Sequence, residues 1–250
     1  MALGIHAAER LIVALDQPHS PSRPDQMIDV RDALEIVDKL DGLVSFFKVG
    51  WPLYMADGGH AVARDLVRKG KRVFLDLKFG DIPETVKRLV RVAVDDGVSF
   101  LTLHANIQAV RAAVDVRGAS ELKVLMVTLL TSLDETDLEQ LGIGRSVREY
   151  VRHWAERALE AGGDGVICSG REAGSVRSLA PARFLVVTPG IRPAGLQAED
   201  HKRPATPGEA IAAGADYLVV GRPIVRAEDV RAVARQIISE MQEAFEARSG

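Results

Sequence analysis

The chain has 250 residues, 47% of them hydrophobic, and a formal net charge of -3 at pH 7. This length suits one large domain as well as two smaller ones, and the slightly acidic balance argues against nucleic acid held by a general basic field. No apolar segment is long enough to span a membrane, and the N-terminus MALGIHAAER lacks the features of an export signal. The single cysteine, Cys168, excludes an internal disulfide and a cysteine-based metal cluster, so we expect a cytoplasmic protein.

Eight short apolar runs recur along the chain, and each is followed by a stretch with helical periodicity. The runs are LIVALD, FFKVG, VFLDLK, FLTLHA, VLMVTLL, GVICSG, FLVVTPG and YLVVGR. Runs that are almost continuously apolar are typical of strands buried on both faces. The helical stretches are ALEIVDKL, AVARDLVRKG, ETVKRLVRVAVDDG, AVRAAVDV, VREYVRHWAERALEAGG, REAGSVRSL, PGEAIAAGA and VRAVARQIISEMQEAF.

Eight strands that alternate with eight helices predict an α/β protein with a (β/α)8 TIM barrel. No linker or low-complexity tract divides the chain, so we expect a single domain over residues 1–250 with its core at about 10–235. The competing fold is an open doubly wound sheet. That fold is disfavoured because no GxGxxG motif follows the first strand, where a dinucleotide site would require it.

Polar residues lie at or just after the ends of these predicted strands, where a parallel barrel holds its catalytic groups. In chain order they are Asp16, Lys48, Asp76, Lys78, His104, Thr131, Arg192 and Arg222. Asp76 and Lys78 are two residues apart, so on a regular strand both face the barrel mouth, and Lys48 on the neighbouring strand can reach them. The pattern predicts an alternating array of carboxylate and ammonium groups that keep one another ionised.

Several of these residues also have a purely structural interpretation. Asp81 could be a helix N-cap with a capping box, and Asp16 could cap a turn. For His104 we favour a hydrogen-bonded core histidine over a catalytic one. Lys48 and Lys78 are harder to explain in this way, because lysines in such apolar runs do not resemble a solvated surface.

The eighth strand ends in VVGRP, which predicts a phosphate-binding element. Gly221 would let backbone N–H groups approach an anion, and Arg222 would supply a fork of donors. Barrels commonly bind phosphate in the loops after their seventh and eighth strands.

Six segments together resemble one enzyme family. They are LIVALD, FFKVG, DLKFGDIPETV, VTLLTS, TPGIRP and YLVVGRPI, in this order and spacing. The chain is similar to the orotidine 5′-monophosphate decarboxylases of the bacterial type from about residue 10 to about residue 235, and DxKxxDIPxT is the most specific element. The resemblance implies a lyase that needs no cofactor or metal and converts orotidine 5′-monophosphate to uridine 5′-monophosphate (UMP) and carbon dioxide in de novo pyrimidine biosynthesis.

The resemblance also implies roles for single residues. Lys78 would donate the proton to the pyrimidine carbon, and Asp76 would lie against the departing carboxylate. Lys48 and Asp16 would bind the ribose hydroxyls, with Lys48 also part of the catalytic array. Thr131 would contact the pyrimidine.

A homodimer with shared active sites is implied as well. Asp81, Ile82 and Thr85 would reach into the partner subunit's site, with Asp81 among the catalytic residues. The remaining partner would be the small nucleotide substrate, and neither nucleic acid nor a membrane is expected.

The phosphate would be held by Arg192, Gly221 and Arg222. The segment GIRPAGLQAEDHKRPATP is the expected lid, since it is long and rich in Gly, Pro and charge. The family usually has a glutamine nine residues after the arginine of TPGIR, but His201 occupies that position here. We therefore expect His201 to be the lid contact to the nucleotide, with Gln197 as the alternative.

Two other functions stay open at this point. A magnesium-dependent sugar-phosphate decarboxylase or aldolase of the same superfamily shares a DxKxxD element, although IPxT and TPGIRP favour the nucleotide enzyme. A non-catalytic barrel that senses a phosphorylated metabolite is disfavoured, because binding alone would not require so many buried charges.

Overall fold

Eight parallel strands close into a barrel in the computed structural model, which describes residues 6–16, 29–193 and 205–249. Each strand pairs with the next in sequence, and pairing of Leu11 with Leu218 joins the last strand to the first. The strands are β1 (Leu11–Ala14), β2 (Phe46–Gly50), β3 (Arg72–Phe79), β4 (Phe100–His104), β5 (Lys123–Val127), β6 (Gly165–Ile167), β7 (Leu185–Thr188) and β8 (Tyr217–Val220). The predicted TIM barrel is confirmed, and every strand overlaps a predicted apolar run, with β3 and β5 extending one residue beyond theirs at one or both ends.

Helices cover the outside of the barrel. They are α1 (Val30–Lys39), α2 (Trp51–Tyr54), α3 (Gly59–Arg68), α4 (Pro83–Asp95), α5 (Ile107–Arg117), α6 (Glu135–Gln140), α7 (Val147–Glu160), α8 (Gly170–Arg177), α9 (Pro207–Ala212), α10 (Arg222–Val225) and α11 (Val230–Ser249). All eight predicted helices are present. The sequence pattern missed α2, α6 and α10, because four to six residues are too few to show a helical period. Within the described ranges, none of the helices has the length and apolar character that a membrane span requires.

Aromatic rings fill the N-terminal end of the barrel interior. Phe46, Phe100 and Tyr217 stand at the starts of their strands and pack edge to face, with ring centroids 4.9 to 5.9 Å apart. The Arg72 guanidinium lies over the Phe46 ring at 4.1 Å and closes this end as a cation–π contact. Because this floor is packed with side chains, ligand space is left at the C-terminal mouth, where barrel enzymes bind substrate.

Candidate active site

The barrel mouth contains a cavity of about 180 Å³. Its apolar wall comes mainly from β3, β5, β6 and β8 and consists of Phe74, Val127, Leu129, Leu130, Ile167 and Val219. Four cationic side chains and one carboxylate also line it: Lys48, Lys78, Arg192, Arg222 and Asp76. The cavity therefore has a positive charge although the chain as a whole is acidic, which suits an anionic ligand with one flat apolar part.

A chain of ion pairs crosses the β1–β3 side of this cavity. Lys48 Nζ lies 2.5 Å from Asp16 Oδ1 and 3.4 Å from Asp76 Oδ2. Lys78 Nζ donates to the same Asp76 Oδ2 at 2.8 Å. The side chains of Lys48, Asp16 and Asp76 are only 9 to 11% exposed, so these charges are stabilised mainly by one another and little by water. The structure thus brings together the four charged residues that the sequence places at the ends of the first three strands.

The buried charges of Asp76 and Lys48 in this row of ion pairs are stabilised by their neighbours. Burial alone would raise the pKa of Asp76, but Lys48 and Lys78, with the hydrogen bonds from Lys78 and Thr102, hold it below its ordinary value. Burial likewise opposes the charge on Lys48, yet Asp16 and Asp76 raise the pKa of this ammonium. Both groups are therefore ionised at neutral pH.

The backbone at Lys78 departs from a regular strand. Its φ is 48°, which makes it the one non-glycine residue with positive φ in the described part of the chain. The register between β3 and β4 shifts between Leu75 and Phe79, so a bulge interrupts the strand at this point. Strand alternation therefore does not by itself set the direction of Lys78, because a strained backbone conformation contributes as well.

Thr102 on β4 occupies the position opposite the bulge. Its side chain is completely buried, and its Oγ1 donates to Asp76 Oδ1 at 2.9 Å while it accepts from the Lys78 backbone N–H at 3.0 Å. Sequence reasoning missed this residue. The signal was a single hydroxyl inside FLTLH, a strand that is otherwise apolar up to its final histidine.

Gly50 is a second residue that the sequence reasoning missed. A Cβ at this position would lie 2.6 Å from Asp16 Oδ2 and 2.9 Å from Lys48 Nζ. These distances are too short for nonbonded atoms, so the ion pair occupies space that any side chain at residue 50 would need. Glycine at the end of β2 therefore allows Asp16 and Lys48 to meet.

The opposite side of the cavity comes from the ends of β7 and β8. The side chain of Arg192 is buried, its Nη1 donates to the Ile191 carbonyl at 2.9 Å, and its backbone N–H donates to the Ala205 carbonyl at 2.9 Å. Gly221 and Arg222 lie where β8 passes into α10. These residues place two guanidinium groups on the side of the mouth away from Lys78. Thr131, which is also buried, lines the cavity after β5.

Asp16 reaches the site through its contact with Lys48 and does not itself line the cavity, and three further predicted site residues lie away from the cavity of the single chain. Asp81, Ile82 and Thr85 are exposed at the start of α4, and the Ile82 side chain is 66% accessible. Asp81 Oδ1 accepts from the Ile82 backbone N–H at 2.6 Å. The helix N-cap is Ile82, without a side-chain cap, and Glu84 pairs with Lys87. The alternative interpretation of Asp81 as an N-cap with a capping box is therefore wrong.

Two further expectations concern histidines. His104 is exposed at the end of β4, so its interpretation as a core histidine is wrong; the strand has left the interior before it reaches this residue. His201, like Gln197, lies outside the described residues. In the parts of the chain that are described, no three His, Cys, Asp or Glu side chains are grouped as a metal site would require.

Comparison with known proteins gives one consistent family. The family described as "Orotidine 5'-phosphate decarboxylase / HUMPS family" matches residues 9–237. A protein of Rhodopseudomonas palustris strain BisA53 named orotidine 5'-phosphate decarboxylase is 48% identical over 237 residues, which is 95% of this chain and 96% of that protein. A protein of the same name from Methylobacterium radiotolerans is 48% identical over 233 residues, 93% of this chain and 96% of that protein.

A solved structure with the same family name has a similar fold. The crystal structure of orotidine 5'-phosphate decarboxylase from Lactobacillus acidophilus matches with a TM-score of 0.77 at 34% identity, and the match covers 93% of this chain and 99% of that one.

Proposed function

This chain belongs to the orotidine 5′-phosphate decarboxylase family, and we propose that its mouth cavity carries out the family's reaction with Lys78 as the proton donor. The enzyme is a carboxy-lyase of pyrimidine biosynthesis that converts orotidine 5′-monophosphate to UMP and carbon dioxide. The observation that carries the assignment of roles is the contact of the partly buried Lys78 with the buried Asp76, in a cavity whose far side holds Arg192 and Arg222.

The chemistry explains why this site contains charged groups rather than an electron acceptor. When the bond from the ring carbon to the carboxylate breaks, its electron pair stays on that carbon in the plane of the ring, where conjugation does not delocalise it. The positive charge of the Lys78 ammonium stabilises the negative charge that develops on the carbon, and Lys78 then transfers its proton to this carbon. Asp76, which stays ionised, repels the substrate carboxylate and loses this repulsion as carbon dioxide departs.

Binding of the remote parts of the nucleotide contributes to the same step. We assign the phosphate to Arg192, Gly221 and Arg222, because these groups combine two guanidinium forks with a glycine at the end of β8. We assign binding of the ribose hydroxyls to Asp16 and Lys48, and we place the pyrimidine against the apolar wall near Thr131. Enzymes lower barriers by about 8 to 23 kcal/mol, which is more than one ion pair supplies, so energy from phosphate binding has to be used to hold the ring against Lys78.

One assay separates this function from its nearest alternative. Orotidine 5′-monophosphate should lose its absorbance in the presence of the purified protein and an excess of chelator. A magnesium-dependent sugar-phosphate enzyme, or a metabolite sensor without catalysis, would leave the absorbance unchanged. Unchanged absorbance with correctly folded protein would contradict the proposed function.

We also propose a homodimer with shared active sites. The exposed face of α4 and its preceding turn presents residues with helical spacing: Ile82, Thr85, Leu89 and Val92. Next to it, Trp51 is 44% exposed and packs against Phe79 with ring centroids 5.9 Å apart, and Met55 is 68% exposed. Apolar surface of this kind beside an active site is typical of a protein–protein interface, and a second copy of the chain is the occupant that would bring Asp81 to a catalytic lysine.

Complementation between two inactive variants tests the shared site. Asp81→Asn and Lys78→Ala should each be inactive alone, since one loses the carboxylate that crosses the interface and the other loses the proton donor. Mixed under conditions where subunits exchange, they should form hybrid dimers with one intact site each. A mixture that exchanges subunits but stays inactive would show that Asp81 acts within its own chain.

The lid contact is proposed from the sequence spacing. His201→Ala should raise KM clearly, because an imidazole can donate to a phosphate oxygen, while Gln197→Ala should have a smaller effect. The reverse order of the two variants would assign the contact to Gln197. We further propose a cytoplasmic location, from the single cysteine.

A further inference from the structure

Three residues of β3 stand opposite one residue of β4 at the catalytic bulge. Leu75 pairs with Leu101 and Phe79 pairs with Leu103, so Asp76, Leu77 and Lys78 share a single partner position, Thr102. A backbone N–H in such a bulge lies outside the regular ladder and still needs an acceptor. The Thr102 hydroxyl supplies it for Lys78, at 3.0 Å.

The direction of both hydrogen bonds follows from their chemistry. A backbone N–H can only donate, so Thr102 Oγ1 accepts from Lys78 and has its own proton left for Asp76 Oδ1, 2.9 Å away. Tying Oδ1 to Thr102 fixes the rotation of the carboxylate. The other oxygen, Oδ2, then faces Lys78 at 2.8 Å and Lys48 at 3.4 Å.

We propose that Thr102 is a positioning residue for the decarboxylation, because its one hydroxyl holds the Asp76 carboxylate and the backbone of Lys78 in a fixed relation. The inference rests on the proposed function of Lys78 and Asp76 and adds a residue to it. Without the hydroxyl, the carboxylate can turn and the strained Lys78 backbone loses its acceptor. Displacing a reacting group by about 1 Å can cost on the order of 10²-fold in rate.

Thr102→Val and Thr102→Ser form the central pair of variants. Valine keeps the shape of the side chain and removes the hydroxyl, whereas serine keeps the hydroxyl and removes the methyl group. Thr102→Val should lower kcat by about 10- to 100-fold while the dissociation constant of UMP changes by less than about threefold. Thr102→Ser should keep kcat within about threefold of the wild type.

Thr128 provides a matched control. Its side chain is also buried, and its Oγ1 donates at 2.9 Å to the Ile167 carbonyl, so Thr128→Val removes a hydrogen bond of the same length that does not involve Asp76 or Lys78. Both valine variants should lose thermal stability, since each loses a buried hydrogen bond, although the Ile167 carbonyl in Thr128→Val keeps the Thr128 backbone N–H as a donor at 3.2 Å. Only Thr102→Val should lose kcat.

The titration of Asp76 gives a readout that does not depend on turnover. The charged groups that face Asp76 are Lys48 on β2 and Lys78 on β3, with Asp16 behind Lys48 and the two arginines across the cavity. Thr102→Val removes none of these charges, and it takes away a hydrogen bond that lowers the pKa of Asp76, so this pKa, measured by NMR of the carboxyl carbon, should rise. Thr102→Ser should titrate as the wild type does.

The outcomes separate this inference from the proposed function. Wild-type turnover tests the function, whereas the ratios among the variants and the Asp76 titration test Thr102. The inference is overturned if Thr102→Val keeps wild-type kcat and an unchanged Asp76 titration, or if Thr102→Ser loses as much as Thr102→Val, which would assign the effect to packing of the methyl group. If Thr102→Val does not fold, Thr102→Ala replaces it as the variant without a hydroxyl, and the same comparison with serine decides.

Discussion

At the N-terminal ends of the strands, as at the mouth, a buried carboxylate lies among cationic side chains, but the two carboxylates are bound differently. Asp216, just before β8, accepts the Val186 backbone N–H at 2.8 Å and also pairs with Arg177. Arg177 in turn donates to the carbonyls of Gly214 and Phe184. Asp76 at the mouth instead takes its hydrogen bonds from the side chains of a lysine and a threonine.

The floor repeats this arrangement two βα units earlier along the chain. Asp164, just before β6, accepts the Val124 backbone N–H at 2.8 Å and lies 3.2 Å from Arg117. In both cases an arginine and a strand amide converge on an aspartate at the start of the next strand. Such a pattern joins neighbouring strands and helices, so we assign the floor carboxylates to stability and the mouth carboxylates to chemistry.

The pKa values of the two carboxylates move in opposite directions. Burial raises the pKa of Asp216, and the bond from Val186 and the charges of Arg177 and Arg248 offset it only in part. At Asp76 two lysines outweigh the burial, and the pKa is lowered. Of these two carboxylates, Asp76 is therefore the one whose negative charge its surroundings favour, and it lies where we propose that the substrate carboxylate leaves.

Removal of Lys78, the proposed proton donor, should give the largest effect at the mouth. Lys78→Ala should lower kcat by at least about 10²-fold, within the range of roughly 10²- to 10⁴-fold for general acids, while UMP still binds through the phosphate contacts on β7 and β8. Steady-state turnover and UMP titration measure the two quantities. Retention of more than about a hundredth of the wild-type kcat would contradict the role of Lys78.

The matching change at the floor should affect stability instead. Asp216→Ala leaves the Val186 amide without its acceptor and Arg177 without its carboxylate partner in a largely buried place, so the free energy of unfolding should fall by about 2 to 3 kcal/mol. The folded fraction should keep the kcat of the wild type. A stable Asp216→Ala protein with impaired kcat would invalidate the division between the two ends of the barrel.

The sequence predicts these two ends unequally. The eight apolar runs and the strand-end rule locate the mouth, because parallel strands are buried on both faces and their polar ends stand out. The floor aspartates precede their strands as ordinary turn residues, and their arginines are distant in sequence, so no local pattern marks them. The bulge at Lys78 and the role of Thr102 were not predicted for a similar reason. A register shift depends on the pairing between strands and is not visible in the periodicity of either strand.

A smaller effect should follow from filling the space beside the ion pair. Gly50→Ala places a methyl group against Asp16 and Lys48, so kcat/KM should fall by about tenfold as these side chains are displaced. Gly144→Ala is the control, because a Cβ there meets no atom within 4 Å. Equal activity of the two alanine variants would show that the Asp16–Lys48 pair moves aside without consequence.

The smallest effect is a difference in the pH dependence of stability, and it tests the two carboxylates against each other. The pKa of Asp76 lies below its ordinary value of 3.8 in the folded protein, so its stabilising contribution is complete above that pH and is lost as the pH falls through the folded value. The pKa of Asp216 lies above 3.8, so the unfolded chain loses this proton first and stability falls as the pH rises from 3.8 to the folded value.

The free energy of unfolding should be measured with denaturant for the wild type, Asp76→Asn and Asp216→Asn at pH values on both sides of 3.8. The differences between wild type and variant, plotted against pH, should have opposite slopes for the two variants. The stability of the wild type relative to Asp76→Asn should increase with pH, and its stability relative to Asp216→Asn should decrease. One group contributes at most about 1.4 kcal/mol per pH unit, so the slopes are small and their opposite signs are the decisive measurement. If both differences decreased with pH, the lysines at the mouth would not outweigh burial at Asp76. If both increased, the Val186 amide and the arginines would outweigh burial at Asp216, and in either case the contrast between the two carboxylates would fail.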